Sequence, residues 1–281
     1  MVNIYGSIDN MHTPLFSLKD VWFSYLGKIP ALSGVDIDIY PGQKVSLVGA
    51  NGSGKSTLLH LLDGLIFADR GSVSFLAKRL EAKAFADEKF DREFRRRVGF
   101  VFQNPDVQLF CPTVKEDIVF GPLHLGFEKN EISRRLEKII GILDIGSLLD
   151  RSAHQLSVGE KRKVAIASTL IIEPDILIFD EPTAGLDPQT SRKIIDLLVD
   201  RSLESRTVIT STHDLHIVEE ISDVVCVLGQ RGRIIRSGQP GSILSDADLL
   251  AENNLAHIHS HRHKDKVHVH EHEHSEHHSQ E

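Results

Sequence analysis

Gly49-Ala50-Asn51-Gly52-Ser53-Gly54-Lys55-Ser56-Thr57 decides how the rest of the chain is read. The apolar run Val45-Ser46-Leu47-Val48 enters it as a buried strand. Leu58, Leu59, Leu61 and Leu62 leave it on one stripe of a helix. A strand, a glycine-rich loop and a helix N-terminus, in that order, make a phosphate-binding loop. The glycines let the backbone turn several N–H groups onto one spot. The helix adds its free N–H groups and the positive end of its dipole. Lys55 then reaches the β and γ phosphates as a point charge, and Ser56 offers its hydroxyl to Mg²⁺. The competing reading is a glycine-rich turn capped by serine. It explains neither the Lys-Ser pair nor the strand ahead of it.

Other apolar strands end in polar residues that belong with such a loop. Asp175 to Phe179 is short enough for a buried parallel strand and ends in Asp180-Glu181. One carboxylate can support the metal while the next polarises the attacking water, although the same pair alone reads as a solvated turn. Thr207 to Thr212 ends at His213, placed to contact a γ-phosphate or hold the catalytic carboxylate. Val98 to Phe102 ends at Gln103, within reach of Mg²⁺ or the water. Each of these two, taken by itself, is also an ordinary structural residue.

Around this centre, Leu15 to Tyr25 alternates as a strand, and Val35 to Ile39 alternates strictly, as in a half-buried antiparallel sheet. Ala82 to Arg97 has helical character with few apolar anchors. Ile132, Leu136, Ile139, Ile140 and Leu143 recur at helical steps. Ser157-Val158-Gly159-Glu160 reads as a capping box opening a helix from Lys161 to Ile172. A further helix is expected over Ser191 to Ser202. Val224 to Leu228 and Arg233 to Ser237 flank a turn and read as a closing hairpin. Strands alternating with helices imply a mostly parallel α/β sheet with the phosphate loop at strand carboxyl ends.

The 281 residues carry a net charge of −8, which argues against general nucleic-acid binding. Cys111 and Cys226 lie far apart, which suits a reducing cytosol. No apolar run approaches the ~18 residues of a membrane helix. The expectation is a cytoplasmic protein that meets the membrane only through a partner.

Taken in order, the phosphate loop, Gln103, Leu156-Ser157-Val158-Gly159-Glu160, Ile176 to Glu181, Ala184-Gly185-Leu186-Asp187 and His213 resemble the full motif series of an ABC transporter ATPase. The resemblance covers roughly Phe16 to Gln239. It implies a P-loop NTPase fold of ABC ATPase type: a mostly parallel core sheet, an antiparallel β subdomain and an inserted α-helical subdomain. It also implies two such domains paired head to tail, as copies or paralogues, with ATP sandwiched between them. Gly49, Ala50, Asn51, Gly52, Ser53, Gly54, Lys55, Ser56 and Thr57 would hold phosphate and Mg²⁺, with Gln103 and Asp180. Tyr25 would stack on adenine, Glu181 would be the general base and His213 the switch histidine. Ser157 and Gly159 would contact the partner's ATP, and Asp187 would work at the interface. The signature departs from Leu-Ser-Gly-Gly-Gln at Val158 and at Glu160, which brings a carboxylate nearer phosphate.

Gln103-Asn104-Pro105-Asp106-Val107-Gln108-Leu109-Phe110 and Asp117-Ile118-Val119-Phe120-Gly121-Pro122 narrow the likeness. They resemble the ATPases of energy-coupling-factor importers, including cobalt and nickel systems, where this region bears on a membrane subunit. The expected organisation is a flexible lead over 1–14, the ATPase domain over 15–240 with its helical subdomain at about 103–172, and a helical extension over 241–256. A His-rich tail over 257–281 follows, disordered without metal.

Ten of the sixteen histidines fall in that tail: His257, His259, His261, His263, His268, His270, His272, His274, His277 and His278. Neighbouring imidazoles are expected on opposite sides of an extended chain, with a flexible chain gathering several around one ion. Imidazole suits Ni²⁺, Co²⁺, Cu²⁺ and Zn²⁺. The reading is an ATP-hydrolysing importer subunit for nickel or cobalt, peripheral on the cytoplasmic face of the membrane. Its rivals are a vitamin importer of the same type and a nucleotide-switched metal storage or delivery protein. A soluble ABC ATPase acting on nucleic acid is set aside because neither tandem ATPase domains nor coiled-coil insertions are present.

Overall fold

In the computed structural model, residues 13–200, 203, 205–263 and 266–273 are described. The expected lead lies, over 1–12, outside them. The core is a six-stranded sheet of β3 (Lys44–Val48), β6 (Val98–Val101), β7 (Ile176–Asp180), β8 (Thr207–Thr212), β9 (Val224–Gly229) and β10 (Arg233–Gly238). The spatial order is β10-β9-β3-β8-β7-β6, with all neighbours parallel except the β9–β10 hairpin. β6 and β7 are buried along their whole length, which is why Val98-Gly99-Phe100-Val101 and Ile176 to Phe179 read as continuous apolar runs. A second, antiparallel sheet joins β1 (Phe16–Tyr25), β2 (Ile29–Ile39), β4 (Arg70–Phe75) and β5 (Lys78–Arg79) in the order β2-β1-β4-β5.

α1 (Lys55–Leu62) lies between these sheets and buries Leu58, Leu59, Leu61 and Leu62. At about 1.5–3 kcal/mol for each fully buried leucine, this stripe anchors the phosphate loop to the core. α2 (Ala82–Phe85) and α3 (Glu88–Arg97) replace the single helical stretch expected over Ala82 to Arg97. Asp87 breaks it by accepting from the Lys89 N–H as the cap of α3. Apolar anchors are present after all, because Phe85, Phe90 and Phe94 stack on one another.

The helical unit comprises α4 (Val114–His124), α5 (Lys129–Leu143) and α6 (Val158–Leu170). α6 starts earlier than the periodicity suggested, because Ser157 caps it. α7 (Pro188–Val199) likewise starts three residues before Ser191, with Asp187 as cap and Pro188 in its first turn. α8 (Val218–Ile221), α9 (Pro240–Leu244) and α10 (Ala247–Glu252) complete the helices. Ile243, Leu250 and Leu255 pack with Val48, Val225 and Val227 in a small separate core. Among the described residues no helix is long and apolar enough to cross a membrane.

The tail departs from the expected disorder over part of its length. β11 (Ala256–His263) and β12 (Lys266–Glu273) pair as an antiparallel ribbon. Alternation of histidine with Ile258, Val267 or Val269 supplies the period of two that a strand needs. The register sets His257, His259 and His261 opposite His272, His270 and His268. Residues two apart share a face, so these six occupy positions of one face, contrary to the expected opposition. His274, His277 and His278 lie outside the described residues.

Candidate active site

The phosphate loop bends at Gly52 and Gly54, with φ of 81° and 101°. Gly54 also leaves no room for a side chain, since a Cβ there would stand 2.6 Å from the Ala31 carbonyl. A Cβ at Gly49 would stand 2.6 Å from both the Leu228 carbonyl and the Ser53 hydroxyl. The bends carry the chain into α1, so Lys55 and Ser56 occupy its first turn. Lys55 is buried, and its Nζ donates to the Gly49 carbonyl at 2.7 Å. The same ammonium is 3.4 Å from Glu181 Oε1. Ser53 Oγ is buried without a hydrogen-bond partner, an unmet polar group inside the cradle. Tyr25 is half-exposed at the rim, shares a 3.1 Å hydrogen bond with Thr57 Oγ1 and packs edge-on to Phe23.

Asp180 and Glu181 leave the end of β7 next to β8, which supplies Ser211. The Ser211 hydroxyl donates to Asp180 Oδ1 at 2.5 Å and accepts from the Glu181 N–H at 3.0 Å. Glu181 has φ of 47°, a left-handed conformation that costs a non-glycine residue about 1–3 kcal/mol. Its N–H also donates to the Ser211 carbonyl, which holds this geometry in place. His213, two residues past Ser211, donates from Nδ1 to Glu181 Oε2 at 2.9 Å.

The electrostatics of the pair follow from these contacts. Burial pushes the Glu181 carboxyl up, but the His213 hydrogen bond and the His213 and Lys55 charges outweigh it and hold the group below the usual glutamate value. The Glu181 hydrogen bond raises His213 above the ordinary imidazole value, against partial burial. The result is a carboxylate held ionised, aimed by a histidine and set beside a lysine in a phosphate-shaped loop.

Gln103 stands exposed where β6 ends. Among the described residues, no side-chain hydrogen bond joins Gln103 to the Lys55–Glu181–His213 group. Its backbone carbonyl is instead fixed by Arg162, whose two terminal nitrogens donate to Phe102 at 2.7 Å and Gln103 at 2.6 Å. Arg162 is 1% exposed, and burial lowers its pKa against the pull of Asp180 and Glu181. Sequence reading missed Arg162 because it looks like one of three adjacent cations in Lys161-Arg162-Lys163. It also missed Ser211, one hydroxyl in the apparently featureless run Thr210-Ser211-Thr212. The only signal for either was its spacing from a motif.

Ser157, Gly159 and Asp187 are not gathered into this group. Ser157 and Glu160 form the expected capping box: the Ser157 hydroxyl accepts from the Glu160 N–H, and the Glu160 carboxylate accepts from the Ser157 N–H. Asp187 caps α7 by accepting from the Thr190 N–H at 3.0 Å. Gly159 faces Thr190, and a Cβ there would meet its methyl at 3.2 Å.

The ABC transporter family profile matches residues 32–184, more than half of the chain and inclusive of the phosphate loop, the signature and Glu181. The chain belongs to the ABC transporter family. It is an ATPase of that family and shares its fold. The nickel import ATP-binding protein NikO of Rhodobacter capsulatus is 46% identical over 246 residues, covering 86% of this chain and 96% of its own. The energy-coupling factor transporter ATP-binding protein EcfA of Methanocaldococcus jannaschii is 40% identical over 84% of this chain and 83% of its own. The structure of cbiO1 from Clostridium perfringens, described as part of the ABC transporter complex cbiONQ, superposes with a TM-score of 0.71 at 34% identity. That match covers 86% of this chain and 95% of cbiO1.

A second feature of this ABC ATPase lies apart from the phosphate loop. α3, α4 and α6 border an open groove of about 540 Å³ lined by Asp63, Phe85, Arg95, Phe100, His124 and Leu125, among others. Near α4, Phe110 is exposed and packs edge-on against Phe120, which stacks on His124. Among the described residues, no group of three or more His, Cys, Asp or Glu is arranged to hold a metal ion.

Proposed function

We infer that this chain is the ATP-hydrolysing subunit of an importer for nickel or cobalt ions. It works as one of two head-to-tail cassettes against integral membrane subunits, on the cytoplasmic face. The observation that carries the catalytic part is the contact of Glu181 with both His213 and Lys55, at 2.9 and 3.4 Å, beside the phosphate loop. Lys55 and the loop N–H groups bind the phosphates, and Tyr25 takes the adenine. Ser56 and Asp180 have the oxygen donors that Mg²⁺ prefers, and the unpaired Ser53 hydroxyl fits a polar ligand in the cradle. When bound, Mg²⁺ neutralises charge on the phosphate oxygens. Glu181 takes a proton from the attacking water while His213 fixes its orientation, and Gln103 reaches toward Mg²⁺ or that water from the end of β6. Ser157, Gly159 and Asp187 act on the nucleotide held by the opposite cassette.

The cargo is read from NikO, a relative whose name gives an ion, and from the ten tail histidines. Those histidines are read as ligands that hold or buffer the imported ion. The membrane partner is read as docking a helix in the groove between α3 and α4, where Phe85, Phe100 and Leu125 line the wall. The second reading is a vitamin importer of the energy-coupling-factor class, favoured by the likeness to EcfA. Accumulation of radiolabelled nickel and cobalt in cells carrying the native operon tests the choice, comparing wild type with Glu181→Gln. Loss of uptake of one metal names the cargo. Unchanged accumulation of both removes the metal reading and leaves the ATPase intact.

A further inference from the structure

Asp63 closes α1, the helix that begins with Lys55 and Ser56 at the nucleotide. Eight residues at about 1.5 Å each put that end about 12 Å from the phosphate loop. The Asp63 side chain is 6% exposed, yet the residue borders the groove between α3 and α4. Arg95 of α3 donates through Nη1 to the Asp63 carbonyl at 2.8 Å and to its carboxylate at 3.1 Å. The same guanidinium lies over the rings of Phe85 and Phe94 and within 3.5 Å of Asp91. Its side chain is one third exposed and lines the groove. α3 runs directly into β6, and β6 leads to Gln103. One guanidinium therefore touches the far end of the phosphate-loop helix, sits on the helix that feeds the Gln103 strand, and faces the groove.

The two partners are unequal. Asp63 is fixed as part of the helix end, whereas Arg95 is reachable from the groove. A group entering the groove can draw the guanidinium off, and the buried carboxylate then loses the partner that offsets its desolvation. We propose that Asp63 and Arg95 are positioning residues that tie the contents of this groove to the placement of Lys55 and Ser56 at the nucleotide. The partner side of the proposal rests on the reading of the groove as a docking site.

The pair has a titration that makes it testable without a partner. Burial pushes Asp63 up to about 7, with Arg95 pulling it down and Asp91 pushing it up. Arg95 and Asp91 face it from α3. Glu88 and Arg92 of α3 and His124 of α4 line the same groove. His60 lies one turn earlier on α1, its pKa lowered by burial. Glu181 and His213 titrate at the nucleotide end, so the effect is read as a difference between variants.

The experiment measures MgATP hydrolysis by the purified full chain from about pH 5.5 to about 8.5, for wild type, Asp63→Asn and Arg95→Lys. In wild type, the KM for MgATP shifts by about threefold or more around neutral pH. In Asp63→Asn that shift disappears while the changes set by Glu181 and His213 remain. Arg95→Lys, which keeps the charge but not the planar guanidinium, moves the profile and serves if Asp63→Asn fails to fold. Superimposable KM profiles in all three overturn the proposal. A second arm uses the chain co-purified with its membrane subunits. Asp63→Asn is expected to stay in the complex while stimulation of ATPase by those subunits falls about fivefold or more; retained stimulation overturns the coupling. If Leu125→Arg in the groove leaves co-purification intact, the docking reading fails instead, and the first arm still decides the pair.

Discussion

Glu181 combines a strained backbone, a buried carboxylate and two cationic neighbours, and each has a consequence that can be measured. Glu181→Gln keeps the shape but cannot take a proton. ATP hydrolysis is expected to fall by about 10²–10⁴-fold with nucleotide binding retained, read by phosphate release and by fluorescent-ATP titration. The Glu181–His213 pair also leaves a mark on stability. His213 is raised, so its contribution is fully present below the ordinary imidazole value of 6.5 and is lost as pH rises through the higher folded value. Glu181 is lowered, so its contribution is present above 4.5 and is lost as pH falls through the lower folded value. The pair is thus intact between those values. His213→Ala should flatten the alkaline fall of the melting temperature, and an unchanged slope there would contradict the pairing. Asp63 runs the other way: its raised value means that folding gains as pH falls from about 7 toward 3.8. Asp63→Asn should therefore remove that slope in the same melting series.

At the scale of elements, one buried side chain joins α6 to the end of β6. Arg162 crosses from the helix that follows the signature to the carbonyls that precede and include Gln103. Arg162→Leu leaves both carbonyls without this donor, and a loss of about 2–3 kcal/mol in chemical denaturation is expected. A loss under about 0.5 kcal/mol would show that the crossing is not structural. Much of this architecture was legible in the sequence: apolar runs ending in Lys55's loop, in Asp180-Glu181 and in His213 all lie at carboxyl ends of parallel strands. Helix starts were placed late at α6 and α7, because apolar spacing begins a turn after the capping residues Ser157 and Asp187. The Asp63–Arg95 pair and the role of Arg162 were not legible. A charged residue shows itself as buried only once the element packed against it is known.

At the scale of the whole molecule, the residues read as an ATP site are not all brought together within one chain. Lys55, Glu181 and His213 converge, while Ser157 and Asp187 are occupied as helix caps elsewhere. The tail is the part least decided by local pattern: its alternating histidines favour pairing, yet a lone two-stranded ribbon is marginal in water. Removing 257–281 should leave MgATP hydrolysis within about twofold and abolish retention on immobilised nickel, and persistent retention would place metal binding elsewhere. If the pairing is between copies of this chain, two chains would share two ATP sites, each completed by the other's Ser157 and Gly159. Light scattering on the purified Glu181→Gln chain with and without MgATP tests it directly. A dimer that forms only with MgATP and is lost when Ser157→Arg is added is expected. A monomer at saturating MgATP, or a dimer indifferent to Ser157→Arg, would contradict it.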